Sequence, residues 1–234
     1  MRKFSFVEKV TIWGLAFLSI ITLAFYVYTA NMEANLESVM SESEQGLVDA
    51  SMNIMGGYRV VMNEVLWTDP VLEMNETITL KGKTKTLEQW LVEAGSTLNK
   101  AYDHFFSGES WKTVFLCKNA REIYQGVNSN ASLKRAENQL VEFSHNLNGS
   151  YKRDAESTVW IKPMLSANDV VTISGIAQTI GEWMDNASSS LSEAYTLSAK
   201  EKYEESQNMA NKATAIYSEL NQEAYSTKDW SDMR

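Results

Sequence analysis

The longest apolar run lies near the start of the chain. Val10 to Ala30 reads VTIWGLAFLSIITLAFYVYTA, 21 residues with only Thr and Ser as polar members, whereas charges break the remaining sequence every few positions. A helix of that length rises about 1.5 Å per residue and covers roughly 31 Å, close to the hydrocarbon thickness of a bilayer, so the pattern predicts one transmembrane helix over 10–30. Trp13 near one end and Tyr26 and Tyr28 near the other fall where amphipathic rings anchor at membrane interfaces. A cleaved signal peptide fits less well. Its apolar stretch is shorter, about 7–15 residues, and Tyr28 stands where cleavage after Ala30 needs a small residue. Arg2, Lys3 and Lys9 precede the run and Glu33, Glu37, Glu42 and Glu44 follow it, which predicts a cytoplasmic N-terminus and everything beyond residue 30 outside.

Past the membrane, apolar or small residues recur at Met32, Leu36, Val39, Ser43, Leu47, Ala50, Ile54, Gly57, Val61 and Val65, steps of three and four that predict a helical stalk over 31–68. Gly56-Gly57 is a kink point within it and Thr68-Asp69-Pro70 a stop. Residues 76–86, ETITLKGKTKT, alternate around Lys81-Gly82 and predict a hairpin, the one firm strand signal. Thr86-Leu87-Glu88-Gln89 is a capping box opening a helix with Leu87, Trp90, Leu91, Ala94, Leu98, Ala101, Tyr102 and Phe105 inward, ending near Ser107-Gly108. Ser110 caps the next helix, whose apolar side is read as Trp111, Val114, Phe115, Ala120, Ile123 and Tyr124, before a turn at Val127–Asn130. Leu133, Ala136, Leu140, Phe143 and Leu147 form a helical seam closed by Gly149. Val159, Trp160 and Ile161 read as a short strand or a hydrophobic plug. Asn168 reads as the cap of a helix carrying Val171, Ile176, Ile180, Trp183 and Met184. From Glu182 to Tyr225 a helical hairpin is expected, turning near Ala199–Lys202. Its small and aromatic spacing resembles repeat-type helix pairs, but no second period emerges, so a solenoid is not expected.

These elements predict a mainly α protein, an N-terminal single transmembrane helix continuing into an extracytoplasmic antiparallel helical bundle with one small β-hairpin. The expected divisions are a cytoplasmic tail over 1–9, the signal-anchor helix over 10–30, a stalk over 31–68, one bundle domain over 69–225 and a polar tail over 226–234.

With 234 residues, 44% hydrophobic, the chain can bury a real core, and one Cys excludes a disulfide-built scaffold. The net charge of -9, from 21 basic and 30 acidic residues, removes the basic face a nucleic-acid reader needs. Candidate chemistry is sparse. His104, His145 and Cys117 are the only His and Cys, no two within metal-ligand spacing, and no nucleophile elbow, phosphate loop or dinucleotide fingerprint is present. No catalytic, cofactor or metal residue is therefore assigned, and an enzyme is not expected. Met52, Met55 and Met62 in the stalk, with Trp67 and Trp230, are the candidate partner contacts, because thioethers and indoles suit adaptable interfaces. Copper binding by the Met cluster is the lesser reading. Asn75, Asn130, Asn148 and Asn186 head sequons open to glycosylation outside the membrane. The expected partners are the lipid bilayer and other membrane or envelope proteins, including further copies of the chain. Together these readings predict a non-enzymatic accessory or structural subunit of a membrane assembly. The alternative is an anchored ligand-sensing or solute-binding module that signals through a partner.

Overall fold

A computed structural model describes residues 35–226 except 62, 63, 155 and 156. The expected transmembrane helix, with Trp13, Tyr26 and Tyr28, lies outside the described residues, as do Met62 and Trp230. Among the described residues no helix is long and apolar enough to cross a membrane. The fold is mainly helical. Its order is α1 (residues 35–55), β1 (Gly57–Val61), β2 (Glu64–Thr68), β3 (Thr77–Leu80), β4 (Lys83–Thr86), α2 (Leu87–Phe106), α3 (Ser110–Asn148), β5 (Ser150–Asp154), β6 (Ser157–Ile161), β7 (Val170–Ile173), β8 (Ile176–Thr179), α4 (Ile180–Ala199) and α5 (Tyr203–Ser226). The strands form four separate two-stranded antiparallel hairpins.

The chain is an internal duplication. Residues 93 positions apart correspond without a gap, and the matches are chemically specific: Asn53 and Asn146, Gly56 and Gly149, Tyr58 and Tyr151, Trp67 and Trp160, Pro70 and Pro163, Thr86 and Thr179, Trp90 and Trp183, Tyr102 and Tyr195, Tyr124 and Tyr217, Asn128 and Asn221. Each repeat runs helix, two hairpins, helix, helix. Its bonds recur with the same partners. Trp90 Nε1 donates to Ile78 O at 3.1 Å and Trp183 Nε1 to Val171 O at 3.1 Å. Asn53 Nδ2 donates to Asn128 Oδ1 at 2.8 Å and Asn146 Nδ2 to Asn221 Oδ1 at 2.8 Å. Tyr102 donates to Glu44 as Tyr195 does to Glu137. Thr86 with Gln89, and Thr179 with Glu182, close equivalent capping boxes. The missing second period is thus corrected. The last helix of the first repeat and the first of the second are fused into α3, so no linker marks where one copy ends.

Four other expectations are corrected. The stalk helix ends at Met55, where Gly56 takes φ 72°, and 57–68 is a hairpin rather than the end of a helix. The hairpin over 76–86 is present but is one of four. No turn occurs at Val127–Asn130: α3 runs 39 residues unbroken, because the polar residues there are buried and bonded rather than turning, Asn128 to Asn53 and Gly46 O, Ser129 to Ser206 at 2.9 Å. The helix expected from Asn168 is instead the β7–β8 hairpin, with Val171 and Ile173 inward and Val170 and Thr172 outward, and α4 starts only at Ile180. The capping box at Thr86, the end of α2 and the turn at 199–202 lie where the sequence put them.

The described residues fall into two compact units. One comprises residues up to Gln45 with Ala94–Arg121, the other Gly46–Glu93 with the residues from Glu122 on. The first has a core of Leu36, Val39, Leu98, Ala101, Cys117 and Ala120, with Ser43 and Thr113 also buried. The second is centred on Trp90, Tyr124 and Val127 and on a cluster of Phe143, Ile180, Trp183, Tyr217 and Leu220. Much of the lining in both is Ala, which lets helix backbones approach closely. Gly126 on α3 is tighter still: a Cβ there would come 2.6 Å from a methyl of buried Leu80 on β3.

Candidate functional site

Because the chain carries the same fold twice, an exposed side chain present in only one copy is one that the shared backbone does without in the other.

Tyr58 and Trp67 face each other across β1–β2 with ring centroids 4.9 Å apart, and Tyr151 and Trp160 do the same across β5–β6 at 4.6 Å. All four rings are substantially exposed. Cross-strand aromatic pairing holds such hairpins, so Trp67, a candidate partner contact, has a structural duty shared with Trp160. Its indole also donates to Asp69 Oδ1 at 2.7 Å.

The turn between α2 and α3 differs. Phe105, Phe106, Trp111 and Phe115 are all exposed there, Phe106 at 81% and Trp111 at 65%. Phe105 and Phe106 meet edge-on at 5.5 Å, and Lys112 Nζ lies 5.7 Å from the Trp111 ring centroid. Their counterparts in the second repeat are Ser198, Ala199, Glu204 and Asn208. The same turn is therefore built once with aromatics and once without. The expectation that Trp111 and Phe115 line the buried side of α3 is corrected, since Thr113, Cys117 and Ala120 occupy that face. Beside these rings His104 Nδ1 pairs with Glu109, which also accepts from Lys112 Nζ at 2.8 Å; the Lys112 bond, then that of His104, holds the Glu109 carboxyl below its ordinary range.

Among the remaining candidates, Met52 is half-buried and Met55 exposed at the end of α1. Asn75, Asn148 and Asn186 are exposed, whereas Asn130 is half-buried within α3, its Nδ2 donating to Gly126 O at 2.8 Å, and Ser132 of its sequon is buried. Cys117 is fully buried, and burial pushes its thiol up, away from reactivity. Among the described residues no three His, Cys, Asp or Glu side chains gather as a metal site.

The second unit also contains a cleft of about 440 Å3 lined by Trp67, Asp69, Arg135, Asn138, Gln139 and Thr214 among others. Arg135 Nη2 donates to Asn53 Oδ1 at 2.6 Å. Partial burial pulls the guanidinium pKa down from its ordinary value.

No protein-family model, curated protein or solved structure matches this chain.

Proposed function

We propose that the protein is a non-enzymatic, membrane-anchored accessory subunit of an envelope assembly, and that it contacts its partner proteins through the aromatic turn of residues 105–115. One observation carries this reading: four large apolar rings stand in water at a turn that the second repeat makes with Ser, Ala, Glu and Asn. Exposed aromatics cost solubility, the second repeat makes the same turn without them, and they are the side chains on which interface energy concentrates. The anchor rests on the apolar run over 10–30 and the charge bias of its flanks.

The test is extraction of the native protein in mild detergent followed by mass spectrometry of what co-purifies, with Phe106→Ser/Trp111→Ser as the comparison. Stoichiometric partners that the double variant loses support the reading. A lone monodisperse species, or partners held equally by the variant, overturns it. The ligand-sensing alternative draws on a different feature, the cleft at Arg135.

A further inference from the structure

The duplication exposes one charge rearrangement. In the first repeat Glu42 and Arg121 form an ion pair. Their counterparts 93 positions on are Arg135 and Thr214. The carboxylate has become a guanidinium and the guanidinium a hydroxyl, and both new side chains line the same cleft. Arg135 has five N–H donors. Among the described residues its one hydrogen bond goes to the neutral Asn53 Oδ1, and no carboxylate lies within ion-pair distance of it. A partly desolvated guanidinium without an anion is an unbalanced arrangement in a chain where Lys81, Lys85, Lys112, Lys134, Arg121 and Lys202 each hold a carboxylate.

The rest of the lining defines what would restore the balance. Thr214, Asn138 and Gln139 offer neutral hydrogen-bonding groups, and Trp67 offers an exposed aromatic surface. Asp69 lines the same cleft with its carboxylate already accepting from the Trp67 indole, and its charge opposes any anion, a multiply charged one more strongly than a monoanion. The volume of about 440 Å3 is in the range of small-molecule sites. We propose that this cleft binds a small organic monocarboxylate, its carboxylate held by Arg135 in the fork geometry guanidinium favours and its apolar portion against Trp67. The proposal is independent of the aromatic turn, none of whose residues it uses.

The experiment is ligand-observed saturation-transfer NMR on the full-length protein in detergent, with benzoate as probe and benzamide and inorganic phosphate as comparisons. Micelle partitioning is removed by subtracting the spectrum of the same detergent micelles without protein, for the wild type and the variants alike. Two variants serve. Arg135→Gln removes the charge. Arg135→Glu/Thr214→Arg rebuilds in the second repeat the pair the first already uses, and its fold is checked by circular dichroism against the wild type. Benzoate is expected to bind the wild type at least about ten-fold more tightly than benzamide, the loss expected when a charge-assisted hydrogen-bonded pair is replaced by a neutral one. It is expected not to bind the double variant. Equal binding of benzamide or phosphate, retained benzoate binding in the folded double variant, or no binding to the wild type at millimolar benzoate each overturns the proposal.

Discussion

At the scale of single residues, the repeat supplies its own controls. Tyr124 and Tyr217 are equivalent, both fully buried, yet Tyr217 OH lies 3.0 Å from Ser188 Oγ while Tyr124 OH has no hydrogen-bond partner among the described residues. Ser188 corresponds to Gly95, which carries no hydroxyl. Removing a buried hydroxyl that makes no bond relieves a desolvation cost, whereas removing one that makes a bond loses it. Tyr124→Phe is therefore expected to be neutral or to stabilise by up to about 1 kcal/mol, and Tyr217→Phe to destabilise by about 0.5–1.5 kcal/mol, read from urea unfolding midpoints. The opposite order would mean that the lone hydroxyl of Tyr124 is satisfied in solution. Tyr102 gives a pH signature. Its bond to the Glu44 carboxylate, with burial adding to it, pushes its phenol from 10.0 up to about 12. The folded state thus keeps a proton that the unfolded chain releases, so this contribution is intact below pH 10 and is lost as pH rises to about 12. Melting temperature followed over that window should fall less steeply in Tyr102→Phe than in the wild type. Equal slopes would show that the Tyr102–Glu44 contact does not persist in solution.

At the scale of elements, the sequence was readable where local chemistry alone decides and opaque where tertiary contacts do. Thr86 with Gln89 and the Lys81-Gly82 turn announce themselves through side chains acting on their own backbone. The β7–β8 hairpin has the same design as β3–β4, but its turn is Ser174-Gly175 and its two buried residues, Val171 and Ile173, are too few to stand out from the helical spacing of Ile176, Ile180 and Trp183. Likewise, the Asn128–Asn130 stretch has the composition of a turn, and it stays helical because partners distant in sequence satisfy Asn128 and Ser129 while Asn130 bonds back to Gly126 O within the helix. Both central residues of the β3–β4 and β7–β8 turns have positive φ, 51° and 67° at Lys81 and Gly82, 51° and 80° at Ser174 and Gly175. Asn tolerates that region better than Ser, and Ala is strained in it. Ser174→Asn should raise stability by several tenths of a kcal/mol and Gly175→Ala lower it by about 1–2 kcal/mol, measured by thermal unfolding. A Gly175→Ala protein as stable as the wild type would refute the turn geometry. On α3, Gly126→Ala sets better helix propensity, worth about 1 kcal/mol, against overpacking of buried Leu80, worth about 1–3 kcal/mol, and a net loss is expected.

At the scale of the whole molecule, the duplication separates what the fold needs from what it does not. It was hidden in the sequence because the matching pairs are scattered cores, caps and turns, such as Trp90 and Trp183 or Gly56 and Gly149, set among positions that differ freely between the copies, and because α3 belongs to both. The aromatic turn was hidden for a related reason. Trp111 and Phe115 are four apart on a helix and read naturally as a buried stripe, when the packing face in fact carries the smaller Thr113, Cys117 and Ala120. Comparison with the second copy shows that the equivalent turn forms without these rings. That logic gives a direct test, in which the second repeat's turn is written into the first: Phe105→Ser, Phe106→Ala, Trp111→Glu and Phe115→Asn together. Solvent-exposed substitutions away from caps and cores each change stability by no more than about 0.5 kcal/mol, so the fourfold variant should melt within a few degrees of the wild type and give the same circular dichroism spectrum. If the rings serve a partner, the variant should nevertheless leave the detergent-extracted complex and run as a smaller species in size-exclusion chromatography with light scattering. A large drop in melting temperature would instead assign the rings to the fold, and an unchanged complex would place the contact on another face of the chain.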